Sequence, residues 1–197
     1  MIRNWNEHYS KTKHLAPSAM LIKALTLFDQ EQLYLKQAID LGCGTGTDTL
    51  ELLKKGWKVI SIDKQKEAIE HLQEQTQLAF RANLTLIHKA FESVNLPEVQ
   101  FINASFSLPF CEPHQFDAFW QRITKAIVSK GRFAGQFFGP NDTWSINEKM
   151  LFHTEKQVRN LFDSFEIEFL KEVEIEGKTL GGRKKHWHIF HVVAKKT

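Results

Sequence analysis

The stretch Asp40-Leu41-Gly42-Cys43-Gly44-Thr45-Gly46 concentrates the chemistry this chain can do. It follows a short apolar run, residues 37–41, and leads into a segment with Leu50 and Leu53 on one helical face. Glycines at alternate positions let the backbone turn sharply after a strand and let a ligand lie against bare peptide. The helix behind them offers unpaired N–H groups and the positive end of its dipole. In an open parallel sheet, a cofactor sits in the crevice at the carboxyl ends of the strands. Asp63 ends the next apolar run, 59–63, where a carboxylate accepts hydrogen bonds from the two hydroxyls of a ribose. Asp40 stands two positions before Gly42. A carboxylate there suits a ligand carrying an ammonium group and is poorly placed beside a pyrophosphate. The G-x-G-x-G spacing also departs from the dinucleotide pattern G-x-G-x-x-G, whose wider last gap packs the helix under a pyrophosphate.

Such a loop needs a scaffold of alternating strands and helices, and the rest of the sequence supplies one. Met20, Leu21, Ala24, Leu25 and Phe28 recur at helical spacing within 18–35, after Pro17. Strands are expected at 37–41, 59–63, 84–87, 101–106 and 132–138. Helices are expected between them over 47–55, over 64–78, and over 113–131 with Phe116, Phe119, Trp120, Ile123 and Ile127 on one face. Thr154-Glu155-Lys156-Gln157 reads as a capping box that opens a further helix. Two last strands, 166–175 and 187–194, are joined through Gly177, Gly181 and Gly182, and so tight a connection requires an antiparallel pair. The expectation is an α/β fold with helices on both faces of a mixed seven-stranded sheet. Five or six strands run parallel, and one near the carboxyl end is reversed. No repeat or linker interrupts the chain, so residues 1–197 read as a single domain.

Composition narrows the class. Of 197 residues 42% are apolar and 25% charged, with a net charge of +3, which excludes a disordered chain. No apolar run approaches the ~20 residues of a membrane span, and the first residues lack the apolar core of a signal peptide. Cys43 and Cys111 are the only cysteines, which points to a reducing, cytoplasmic setting rather than a disulfide framework. Lysines and arginines are interspersed with acids, so no nucleic-acid surface is expected. The oligomeric state is not readable from sequence.

The phrases AIDLGCGTG and VISID resemble the class I S-adenosylmethionine (SAM)-dependent methyltransferases. Within that class, NASFSLPFC, GRFAGQFFGPNDTW and KKHWHIFHVVAKK are closest in character to the small tellurite-resistance-type and uncharacterised bacterial small-molecule enzymes. The resemblance runs from about Pro17 to the end. It implies a Rossmann-like sheet of seven strands, mostly parallel, with the last one antiparallel. It also implies SAM as cofactor, S-adenosylhomocysteine as product, and methyl transfer by in-line displacement. Gly42, Cys43 and Gly44 would then line the methionine half, with Asp40 towards its ammonium, Asp63 on the ribose diol and Lys64 beside it. Relatives often carry an acid after the third strand to meet the adenine amino group. Here Ala90 falls at that position, which leaves Phe91 or Glu92 to take the contact. Ala104 and Phe106 end the fourth strand beside the sulfonium, where Phe106 would form an aromatic wall.

Acceptor-side residues are expected above the fourth and fifth strands: Phe138, Asp142, Trp144 and His153, with Tyr9 in an amino-terminal lid over 1–16 that also carries Trp5 and His8. No catalytic residue is evident, and Asp142 and His153 are the candidates for a general base. The chain lacks the Asn-Pro-Pro-Tyr-type motif and the added domains of macromolecular methyltransferases, so a small-molecule acceptor is expected. His186 and His188 share one strand face while His191 points oppositely; no third ligand stands nearby, so no metal is expected. Two rival readings remain open: a non-catalytic SAM-binding module, and an NAD(P)-binding Rossmann oxidoreductase.

Overall fold

A computed structural model describes residues 15–31 and 35–197. Seven strands form one sheet in the order β3-β2-β1-β4-β5-β7-β6: β1 (Gln37–Leu41), β2 (Lys58–Asp63), β3 (Leu84–His88), β4 (Val99–Ala104), β5 (Ile127–Phe138), β6 (Phe165–Lys178) and β7 (Lys184–Lys196). Neighbours from β3 through β5 pair in parallel, and β7 runs antiparallel to both β5 and β6. The Rossmann-like mixed sheet expected from the sequence is therefore present, with β7 as its reversed strand.

Period-two alternation divides the core into two layers. Ile39, Ile102, Phe133 and Val192 face one layer, where Phe119, Trp120 and Ile123 of α4 (Phe116–Ala126) and Val158 of α5 (Glu155–Leu161) pack. Their neighbours Ala38, Phe101, Ala134 and Val193 face the other. There α1 (Ala19–Phe28) and α2 (Thr47–Lys54) bury Phe28 and Leu52 around an aromatic cluster of Phe28, Trp57 and Phe101, with ring centroids 5.1 to 5.9 Å apart. The helix α3 (Lys66–Gln75) lies along β2 and β3. Thr154 and Gln157 form the reciprocal capping box at the start of α5. Arg132, fully buried, ties three parts together through Glu31 after α1 and Glu168 on β6.

Several boundaries differ from expectation. The first helix ends at Phe28. The helix expected over 113–131 is shorter: Pro113–Gln115 is a 3-10 turn, α4 stops at Ala126, and Ile127 pairs with Val99 at the start of β5. Ile127 is apolar in either setting, and strand pairing decides the matter. The register then shifts between β4 and β5, with Lys130 at φ 64° in the interruption. The fourth strand stops at Ala104 rather than continuing to Phe106.

Candidate active site

The glycine loop leaves β1 at the carboxyl end of the sheet. The Ile62 carbonyl accepts from Gly42 N (2.7 Å) and Cys43 N (3.1 Å), which folds the loop over β2. Gly42 has φ 68°, and a Cβ there would stand 2.5 Å from the Ser107 Cβ, so only glycine serves. Gly46, φ 83°, meets Leu72 of α3 just as closely where the loop becomes α2. Asp63 turns towards this loop: its Oδ2 accepts from Gly44 N at 2.9 Å, and its Oδ1 accepts from Gln65 N at 2.8 Å. Two backbone donors thus fix the carboxylate's orientation at the cavity.

Beneath the loop lies a buried acidic cluster. Asp40, 2% exposed, accepts from Asn103 Nδ2 (2.9 Å) and from the Thr49 hydroxyl (2.6 Å). Thr49 spends its single proton on Asp40, so Ser61 is the donor in the 2.8 Å contact between the two hydroxyls. The same Asn103 nitrogen donates to Asp48 Oδ2 (2.9 Å), and Asp48 Oδ1 accepts from Ser18 N (2.8 Å). Burial, then the Asp48 charge, push Asp40 up to about 7. Two carboxyl groups held this close in a dry setting favour a cationic ligand. The Cys43 thiol is pushed well up, chiefly by burial, and stays protonated, which removes it as a nucleophile.

A cavity of about 540 Å³ opens over these groups. Asp40, Gly42, Cys43, Gly44, Asp63, Lys64, Phe91 and Glu92 line one part of it, and Phe106, Phe138 and Trp144 line another. Phe91 is buried against Phe119, ring centroids 5.2 Å apart. Phe106 is the unusual member. It is 43% exposed and has φ 53°, a left-handed conformation costly for a bulky residue. Its N–H donates to Gln136 Oε1 at 2.9 Å, which anchors the turn after β4 and directs the ring to the cavity.

Other expected residues lie elsewhere. Ala104 is enclosed in the core and Ala90 does not line the cavity. His153 corrects the sequence expectation: it packs between Phe116 and Phe137 in the interior, away from the cavity lining. Burial lowers it to about 4, and its Nδ1 has no hydrogen-bond partner, so it is a neutral core histidine. Asp142 is likewise not at the cavity. It caps the turn at Thr143–Ile146 and forms a buried ion pair with Lys185. Tyr9, Trp5, His8 and most of the 1–16 lid lie outside the described residues. Residues missed from sequence include Asp48 and Asn103 under the loop, and Lys178, Thr179, Leu180 and Trp187, which the β6–β7 hairpin brings to the cavity. Only the cross-strand register could have revealed the latter.

His186 and His188 do find acids nearby, from the paired strand rather than from sequence neighbours. His186 Nδ1 and Nε2 meet Glu176 (2.6 Å) and Glu174 (3.0 Å), and His188 Nε2 meets Glu172 (2.7 Å). His188 Nδ1 accepts from Asn141 N, which leaves the ring proton on Nε2 for Glu172. That proton position suits a hydrogen-bonded hairpin.

Residues 38–131 match the family described as methyltransferase domain. No curated protein matches the chain in sequence. Among solved structures, the chain resembles TehB from Haemophilus influenzae at 15% identity and TM-score 0.75, covering 97% of this chain and 67% of that one. It also resembles magnesium protoporphyrin IX methyltransferase from Synechocystis PCC 6803, solved with bound SAM, at 13% identity and TM-score 0.66, covering 98% and 91%. A third is the 1,6-didemethyltoxoflavin-N1-methyltransferase of Burkholderia thailandensis, solved with bound 1,6-didemethyltoxoflavin and S-adenosylhomocysteine, at 17% identity and TM-score 0.64, covering 91% and 79%. Among the described residues, no helix is long and apolar enough to cross a membrane.

Proposed function

We propose that this chain, whose residues 38–131 match a methyltransferase domain, moves a methyl group from SAM to a small-molecule acceptor inside the 540 Å³ cavity. The observation that carries this reading is the pairing of the Gly42–Gly44 loop with the Asp63 carboxylate at one cavity. The residues fit the cofactor. Asp63 offers acceptors to a ribose diol, and Gly42, Cys43 and Gly44 line the cavity beside it, where an amino-acid moiety would lie. Asp40 and Asp48 supply negative charge for an ammonium. Phe91 and Glu92 line the same cavity and would take the adenine.

When bound, SAM supplies a methyl group on a good leaving group, so little acid–base chemistry is demanded of the protein. The chain's own contribution is positioning and exclusion of water. Phe106, Phe138, Trp144 and Trp187 form an apolar wall that would hold an acceptor beside Phe106. A cavity of this size takes a compact molecule, not a polymer. With His153 and Asp142 both removed from the cavity, the reading assigns no general base among the described residues.

The dinucleotide rival is disfavoured by the glycine spacing and by the reversed strand β7. A calorimetric comparison of S-adenosylhomocysteine with NAD tests the reading: the first binds and the second does not. Formation of S-adenosylhomocysteine from SAM with an acceptor then separates an enzyme from a passive binding module.

A further inference from the structure

The cavity is divided by charge. Its lining carboxylates among the described residues, Asp40, Asp48, Asp63 and Glu92, all belong to the part around the glycine loop and the ends of β1 to β3. The other part is walled by Phe106, Phe110, Phe138, Trp144 and Trp187, and none of the described residues lining it is acidic. Among the described residues its one charged lining residue is Lys178, on the hairpin between β6 and β7.

Behind this wall sits a buried cation. Lys185, 1% exposed, places its Nζ 4.1 Å from the Trp144 ring, 4.2 Å from Trp187 and 5.5 Å from Phe138. Those three rings line the cavity and Lys185 does not. Its partner is Asp142, equally buried, which also accepts from Trp144 N (2.9 Å) and His188 N (3.3 Å). The ion pair thus turns its positive end to the rings and pins both tryptophans in place.

Resting on the reading above, we infer that the acceptor is a flat aromatic molecule without positive charge, selected by a wall in which Phe138, Trp144 and Trp187 already turn a ring face to Lys185. Aromatic cages ordinarily attract ammonium groups through the negative faces of their rings. Here that attraction is directed inwards, and a second cation in the chamber would meet a charge of its own sign behind the rings. It would also give up its hydration without a carboxylate to replace it. A flat ring has no such penalty and gains offset or edge contacts with the wall. An anionic substituent would in addition meet Lys178.

The test uses the full chain saturated with S-adenosylhomocysteine and two probes of one ring system, 2-naphthoate and 2-naphthylmethylammonium. Binding is followed by calorimetry and by quenching of tryptophan fluorescence. The naphthoate should bind at least about fivefold more tightly, because specificity here is a difference between matched ligands. In the double variant Lys185→Met, Asp142→Asn, which removes both buried charges together, the preference should shrink to about twofold or less. Equal or tighter binding of the ammonium probe overturns the proposal, as does binding of neither probe. A preference unchanged in a folded double variant removes Lys185 as its source, and the wild-type comparison stands even where that variant does not fold. Failure to bind S-adenosylhomocysteine is a separate result, and it overturns the proposed function itself.

Discussion

The side-chain amide of Asn103 donates to Asp40 Oδ1 and to Asp48 Oδ2, at 2.9 Å in both cases, and so joins two buried carboxyl groups under the glycine loop. One donor group shared by two acids leaves the pair short of positive charge. The cluster therefore stores a preference that a cationic ligand can satisfy.

This arrangement predicts proton release on cofactor binding. Asp40 is raised to about 7 against an ordinary 3.8, first by burial and then by Asp48. Its fold stabilises the protonated form, so its contribution to stability declines as pH rises from near 4 through about 7. An ammonium nearby favours the ionised form, so affinity for S-adenosylhomocysteine should rise with pH up to about 7 and level off above it. Titrations at pH 6 in buffers of different ionisation enthalpy should register proton release, and Asp40→Asn should abolish it. Proton uptake would contradict the arrangement.

Phe106 predicts a stability difference between two small residues. At φ 53° alanine keeps the left-handed strain and glycine relieves it, so Phe106→Gly should be more stable than Phe106→Ala by about 1–2 kcal/mol. Both should lose acceptor turnover, since the ring lines the cavity. Thermal unfolding of the pair decides the first point, and equal melting temperatures would show that the backbone carries no such strain.

His153 predicts an effect on stability and not on the site. It is lowered to about 4 by burial, against an ordinary 6.5. The fold favours the neutral ring, so this group lowers stability as pH falls from about 6.5 towards 4. His153→Phe should flatten that acid dependence while leaving S-adenosylhomocysteine affinity within about twofold of wild type. Urea unfolding at pH 5 and 7 gives the comparison. An unchanged pH slope would show that His153 is not the group responsible.

What was legible in the sequence was local. The loop at Gly42–Gly46 and the acid at Asp63 announce themselves because a strand, a turn and a helix terminus are contiguous in the chain. The reversed last strand follows from glycines between two apolar runs. What was hidden depends on pairing between distant segments. His153 looks polar and available in sequence, yet α4 and β5 enclose it between Phe116 and Phe137. Lys185 looks like one more surface lysine until β7 carries it behind Trp144. Asn103 gave no sign of bridging two carboxylates, because Asp40 lies on β1 and Asp48 on α2. Ile127 satisfies a helical face and a strand equally well, so its place was settled only by Val99 across the sheet.

The most direct test of the central claim is the affinity of S-adenosylhomocysteine for the wild-type chain and for Asp63→Ala, measured calorimetrically at neutral pH. Asp63 is fixed by Gly44 N and Gln65 N at the cavity that would hold the ribose. Removing its charged acceptor should weaken binding by about 1–3 kcal/mol, roughly fivefold to 150-fold. Tight binding by the wild-type chain together with that loss is the predicted result. Wild-type affinity retained in Asp63→Ala would contradict the account, because the ribose would then be held somewhere else.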